Sequence, residues 1–347
     1  MTISILIPCY NEEIGIADTV RSCLAQTRKA DQIIIVNDGS TDRSGEILKE
    51  FGDQITVLTM PKPTGNKSYA QEIGLKFVTS DYFVATDGDT VLDKDFLKYV
   101  DENITLDPEV SALSGYVRSM RHNWLTACRA FEYSIGQNLH KLSQHHLGFL
   151  FVIPGAAAVF KTEDFKNYVP FEHDTLTEDL DFTYRLHTLD LKIQYDRRMV
   201  VYTQDPHTLH SYINQTRRWI GGGWQNLLKH YRLAGRTPKT SLVLTLLYAE
   251  GLVFALMIFL LPLLSLQFFA TFIMTYLPLA FILACYAAWR EKRWELMLVP
   301  IPYLFVATIN SYIFLEQMVK EVFIRQKNLT WFKPERFTNK TPKSVTA

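Results

Sequence analysis

Tyr82-Phe-Val-Ala-Thr-Asp-Gly-Asp-Thr90 decides the fold class, because an apolar run passes straight into two carboxylates one residue apart. A run of this length, closed by a turn signal, reads as a buried strand. The pattern recurs upstream. Ile3 to Ile7 ends at Pro8, Gln32 to Val36 closes in Asn37-Asp38-Gly39-Ser40, and Ile55 to Leu58 is a further run. Between the first two, Asn11, Glu12 and Glu13 open a helical stretch expected to continue through Leu24. Strands separated by helices imply parallel crossovers and an open α/β sheet. Ligands bind such sheets beyond the carboxyl ends of the strands. Pro8 to Glu13, Asp38 and the Asp87/Asp89 pair are therefore expected on one edge. No G-x-G-x-x-G follows the first strand, which sets a dinucleotide-binding fold aside. Paired carboxylates suit a hard divalent cation, which would neutralise a diphosphate.

Downstream the composition changes. From Ser241 to Trp289 the only charged residue is Glu250. That run is about twice the roughly 20 residues a spanning helix needs, so it reads as two spans with a turn near Pro262, Ser265 and Gln267. A second apolar stretch, Leu296 to Val319, carries Glu316 and the two prolines Pro300 and Pro302. The chain has a net charge of zero, which excludes the basic imbalance of a nucleic-acid binder. Cys9, Cys23, Cys128 and Cys285 are too scattered for a metal site and fit a reduced compartment. The opening MTISILIPCY lacks the marks of a signal peptide, so the first region is expected to fold in the cytosol.

Two further motifs stand between the strands and the apolar region: Thr177-Glu-Asp179 and Gln215-Thr-Arg-Arg-Trp219. With Ile7-Pro-Cys-Tyr-Asn-Glu-Glu13, Val36-Asn-Asp-Gly-Ser-Thr-Asp42, the segment Gly65 to Leu75 and Thr86-Asp-Gly-Asp-Thr90, the chain resembles the family 2 glycosyltransferases. The Thr-Glu-Asp and QxxRW motifs narrow the likeness to the membrane-integrated synthases of hyaluronan, chitin, cellulose and poly-N-acetylglucosamine. Trp331 to Arg336 is similar to a Trp-and-Arg motif after the last membrane segment of some of them. Many of those synthases also carry membrane helices before the catalytic domain, which this sequence does not show.

The resemblance implies an α/β chain of GT-A type, an open mixed sheet with flanking helices followed by interfacial amphipathic helices and C-terminal transmembrane helices. Residues 1–235 would be a cytosolic catalytic domain with interfacial helices at about 119–147 and 207–233. Residues 240–320 would be the membrane region and 321–347 a basic tail. By the same likeness Pro8, Tyr10 and Glu12 line a nucleotide pocket, Asp38 meets base or ribose, and Lys67 and Arg218 add contacts. Asp87 and Asp89 position the diphosphate with Mg²⁺ or Mn²⁺. Asp179 is the general base, since an inverting transfer needs a carboxylate beside the acceptor hydroxyl. On a helix neither Glu178 nor Asp181 is expected to share its direction. Trp219, Gly155 and Glu178 are assigned to the acceptor end, and Arg217 to solvent or lipid headgroups.

Trp124, Cys128, Phe131, Ile135, Leu139 and Leu142 recur at helical steps, with Arg129 and Lys141 on other faces. A second such stripe surrounds QxxRW, and both are expected to lie along the membrane. Two spans return the chain to the cytosol at Arg290-Glu-Lys-Arg293, in keeping with the positive-inside rule. A third full span would export the basic tail, so Leu296 to Val319 is expected to be re-entrant or in-plane. The leading functional reading is a processive, inverting synthase of a β-linked polysaccharide from a UDP-sugar. The alternative adds one sugar to a ceramide, diacylglycerol or polyprenyl carrier. A non-catalytic scaffold is disfavoured by the intact Asp87, Asp89, Asp179, Arg218 and Trp219. Expected partners are a nucleotide-sugar donor, a glycan or lipid acceptor, membrane lipids and, for export, another copy or a second protein.

Overall fold

The computed structural model describes residues 1–326, 329, 332 and 334–337. Strand β1 (Ile3–Cys9) is followed by helix α1 (Ile16–Leu24), β2 (Gln32–Asn37), β3 (Thr56–Thr59), α2 (Lys67–Leu75) and β4 (Tyr82–Ala85). Then come β5 (Val91–Leu92), β6 (Ala112–Ser119), α3 (Trp124–Ile135), β7 (Ala158–Lys161), α4 (Glu178–Thr188) and β8 (Ile193–Thr203). The eight strands form one mixed sheet in the order β3-β2-β1-β4-β7-β6-β8-β5. The four N-terminal strands are parallel, with Pro8 beside Val36 and Leu6 beside Ala85, while β7 runs antiparallel to both β4 and β6. Ile3, Ile5 and Ile7 pack to one face, and Leu6 joins Ile34 and Val36 on the other. Burial on both faces is why β1 reads as a continuous apolar run rather than an alternating one.

The first helix begins five residues later than the sequence suggests. Asn11 has φ 53°, in the left-handed region that ends regular backbone. Its side-chain oxygen accepts from Thr41 N at 2.7 Å, and Asn11 N donates to Ser40 Oγ at 3.0 Å. The loops after β1 and β2 are thereby tied to each other instead of coiling. Gly39 (φ 65°) is required where a third loop joins them, since a Cβ there would lie 2.5 Å from Pro63 N.

Helix α5 (Leu209–Lys229) carries QxxRW, and α6 (Pro238–Phe259), α7 (Leu266–Glu291) and α8 (Pro300–Met318) follow. Two helical stretches, Pro238–Leu264 and Leu266–Glu291, are long and apolar enough to cross a membrane. They break at Ser265, whose hydroxyl accepts from Phe268 N. Much of their apolar surface faces outward, with Met274 76 % exposed. Helix α8 lies against α5 and α6: Trp224 and Phe314 rings are 5.2 Å apart, and a Cβ on Gly251 would meet the Phe314 ring at 2.9 Å.

Of the α3 stripe, Cys128 and Phe131 pack inward in a cluster with Ala284, Ala287 and Ala288 of α7, whereas Trp124 and Leu139 are exposed. Arg129, expected on a polar outer face, is 5 % exposed. A π-helical turn, Gly136–Lys141, follows α3 directly. Arg217 keeps a side chain 40% exposed, and its Nε donates to Glu316 at 2.8 Å. Beyond α8, residues 334–337 lie against the region of the sheet. Phe337 stacks on His122 at 4.1 Å, and its backbone N–H donates to Gln204 at 3.1 Å. Lys327, Trp331 and Lys333 of the tail reading lie outside the described residues.

Candidate active site

Three loops at the carboxyl ends of β1, β2 and β4 open onto one cavity of about 580 Å³. Pro8, Tyr10, Glu12, Asp38, Lys67, Asp87, Asp89, Gly155, Glu178, Asp179, Arg218 and Trp219 all line it. Backbone ties hold the loops in register: Asp38 N donates to Cys9 O at 2.8 Å and Thr86 N to Leu6 O at 3.2 Å. Asp38 is buried, accepting from Thr64 N at 2.9 Å and Thr64 Oγ1 at 2.8 Å, and so fixes the loop before α2. Asn66 caps α2 by accepting from Ser68 N, which places Lys67 at its first turn.

Charge is arranged in two layers. Lys67 pairs with Asp87 and lies 3.6 Å from Glu178. Burial opposes the charge on Lys67, but Asp87 and Glu178 outweigh it and hold its pKa above the ordinary value. Burial likewise opposes ionisation of Asp87, and Lys67 more than reverses that. Arg336 donates to both Glu12 oxygens at 3.2 Å and lies 2.7 Å from Asp89. Even so, burial pushes Asp89 up to about 7, against Arg336 and with Glu12 adding to the rise. Four carboxylates, Glu12, Asp87, Asp89 and Glu178, thus lie close to two cations, Lys67 and Arg336.

Asp179 sits in the first turn of α4. Leu180 N donates to its Oδ1 at 2.9 Å and Gly155 N to its Oδ2 at 3.3 Å, so two backbone amides orient the carboxylate. Burial raises its pKa to about 6, with the neighbouring Glu178 adding and Lys67 opposing. A Cβ on Gly155 would lie 3.1 Å from Lys67 Nζ and 3.8 Å from Asp179 Cβ. That small residue is what lets β7's approach, α2 and α4 meet. Glu178 also faces the cavity, contrary to the helical-direction argument. At a first turn the side chains splay around the helix mouth, so adjacent positions can reach one hollow. Asp181 does point away, accepting from His230 at 2.7 Å and pairing with Lys229 at 2.9 Å and with Arg185.

Sequence reasoning missed Lys141, Glu132 and Asp205, which line the same cavity. Lys141 is buried, donates to Ser114 at 2.9 Å, and is pushed by burial down to about 7. Periodicity put Lys141 on an outer face. The π-helical turn adds residues per turn and rotates it inward, a shift no 3.6-residue pattern reveals. Leu247 of α6 also lines the cavity.

A model of glycosyl transferase family 2 matches residues 4–167. The chain carries a family 2 glycosyltransferase domain. The poly-beta-1,6-N-acetyl-D-glucosamine synthase of Staphylococcus epidermidis is 31% identical over 243 residues, covering 69% of this chain and 59% of the relative. The synthase of the same name from Staphylococcus aureus (strain COL) is 31% identical over 241 residues, 68% of this chain and 58% of that one. The chain spans about three fifths of the length of these relatives. A mannosyltransferase from Pyrobaculum calidifontis, solved in complex with GDP-Man and Mn²⁺, superposes over 93% of this chain and 88% of its own. Its TM-score is 0.65 at 18% identity. S. aureus TarS 1-349 in complex with UDP-GlcNAc gives a TM-score of 0.55 at 15% identity, over 92% of each chain. These two likenesses establish the GT-A fold of the family 2 domain and its continuation.

Proposed function

We propose that this chain transfers a sugar from a nucleotide-sugar donor to an acceptor hydroxyl at a membrane surface, with inversion, and extends a β-linked polysaccharide. The names of the relatives favour UDP-N-acetylglucosamine as donor. The observation that carries the reading is a cavity lined together by the strand-end loops, Asp179, Trp219 and Leu247 of the apolar helix α6. A donor held by the loops has its leaving group at Asp87 and Asp89, and an acceptor arriving from the α6 side meets Asp179. Asp179 takes the proton from the acceptor hydroxyl as that oxygen attacks the sugar's anomeric carbon. Lys67 and Arg218 sit where negative charge grows on the departing diphosphate.

A divalent cation fits the donor set. Among the described residues no group of three or more His, Cys, Asp or Glu could hold a metal alone. Mg²⁺ or Mn²⁺ needs only one or two carboxylates when phosphates and water supply the remaining oxygens, and Asp87 and Asp89 meet that need. When bound, such an ion supplies positive charge to the leaving diphosphate.

Arg336 beside Asp89 supports a two-span membrane hairpin of α6 and α7, with α8 in-plane and the tail on the catalytic side. Membranes containing the protein, given radiolabelled UDP-sugars singly with Mg²⁺ or Mn²⁺, test the function. Label in a polymer cut by a β-specific glycanase is expected. Label in the organic phase as a single-sugar lipid would replace this reading with lipid glycosylation. Free nucleotide without any glycosylated product would sink both.

A further inference from the structure

QxxRW places Trp219 seven residues after Tyr212, so both rings lie along one side of α5. Arg129 and Glu132, three apart on α3, face that side. The Arg129 guanidinium lies 4.3 Å from the Tyr212 ring centroid and 4.7 Å from that of Trp219. It is buried, its Nη1 donates to Glu132 Oε2 at 2.7 Å, and its Nη2 donates to Gln215 at 3.3 Å. Asp205 lies 4.0 Å from its Nε. Glu132 Oε1 accepts in turn from Asn310 of α8 at 2.9 Å and from Tyr212 OH at 3.3 Å.

We propose that Arg129 is the positioning residue for acceptor binding: stacked behind Trp219, it sets the angle at which that indole meets the acceptor sugar. A flat guanidinium suits this task because it can lie against two rings while bonding in its own plane. An ammonium would keep the charge and lose the plane. Through Glu132 and Asn310 the same arginine joins the acceptor end to α8, so the membrane part holds the angle of the tryptophan. The inference rests on the reading of Trp219 as an acceptor contact.

The full chain in detergent or nanodiscs is labelled with fluorotryptophan and examined by fluorine NMR. The resonance missing in Trp219→Phe belongs to Trp219. Arg129→Lys is expected to shift that resonance and leave the remaining five, from the six tryptophans, in place. With UDP-N-acetylglucosamine and a β-linked N-acetylglucosamine oligosaccharide, it should raise the acceptor KM about tenfold and leave the donor KM within about twofold. In a Trp219→Ala background Arg129→Lys should add no further loss. An unmoved Trp219 resonance overturns the inference whatever the activity does, as does equal loss with and without Trp219. A moved resonance with unchanged acceptor KM in both Arg129→Lys and Trp219→Ala overturns the acceptor reading of Trp219 instead. Should all six resonances collapse in Arg129→Lys, Asn310→Leu carries the test. It loosens Glu132 from outside the cavity and must move the Trp219 resonance the same way, or the inference fails.

Discussion

At the scale of the residue, Asp179 combines the features a base requires: two amides fix its direction, and burial with Glu178 lifts its pKa to about 6. Asp179→Asn keeps the shape and removes the proton acceptor. Transfer should fall about 10²- to 10⁴-fold with donor affinity intact, read by product formation beside equilibrium UDP binding. The base works only when ionised. Transfer should therefore rise about tenfold per pH unit up to about 6 and level off above it. Because Glu178 contributes to the rise, Glu178→Gln should move this limb to lower pH in a pH–rate profile. A limb that stays put would show that Glu178 does not act on Asp179 through its charge.

At the scale of the element, Asp179 is only as well placed as the mouth of α4, and α5 sets that mouth. Asn226 of α5 donates to Thr177 O at 3.1 Å, and a Cβ on Gly222 would lie 2.4 Å from Thr177 Oγ1. Thr177 is buried and short, so it cannot swing aside. Gly222→Ala should push α5 off α4 at a cost of roughly 1–3 kcal/mol. It should depress transfer far more than donor binding, checked by thermal melting and nucleotide titration side by side. How much of this was legible in the sequence depended on locality. The loops after β1, β2 and β4 could be read because each follows an apolar run and ends in residues that cannot continue it. The start of α1 could not, because Asn11 is diverted by Thr41 and Ser40, partners that only the fold brings near. The same holds for β6 to β8, whose order in the sheet follows from pairing across distant segments. Arg129 and Lys141 looked like polar-face residues, since a helical period cannot tell water from a charged cavity. Thr177 to Asp179 and Gln215 to Trp219 carried their meaning only by resemblance; the motifs state no distance, and the helix contact supplies it.

At the scale of the molecule, the sheet, helix α6 and the tail all contribute to one cavity. Arg336 balances Glu12 and Asp89, which are otherwise buried acids. Arg336→Ala should leave them short of positive charge and raise the donor KM about tenfold. Trp219-dependent acceptor use should stay unchanged, as initial rates against each substrate would show. A donor KM within twofold of the parent would mean that Lys67 alone suffices. Cysteine labelling at an introduced Phe323→Cys, near the end of the described helices, should occur only from the catalytic side. Labelling from the far side would require α8 to cross.

The contact between residue 336 and residue 12 also orders events in time. A ribosome delivers the strand-end loops first and the arginine that pairs with Glu12 and Asp89 more than three hundred residues after Glu12. Between those moments helices α6, α7 and α8 are made, and the tail returns past them to meet its acids. The full set of charges around the cavity is thus tied to near-complete synthesis of the chain. A nascent chain therefore presents Glu12 and Asp89 without the Arg336 charge, and the cavity takes its final electrostatic form only near the end of synthesis.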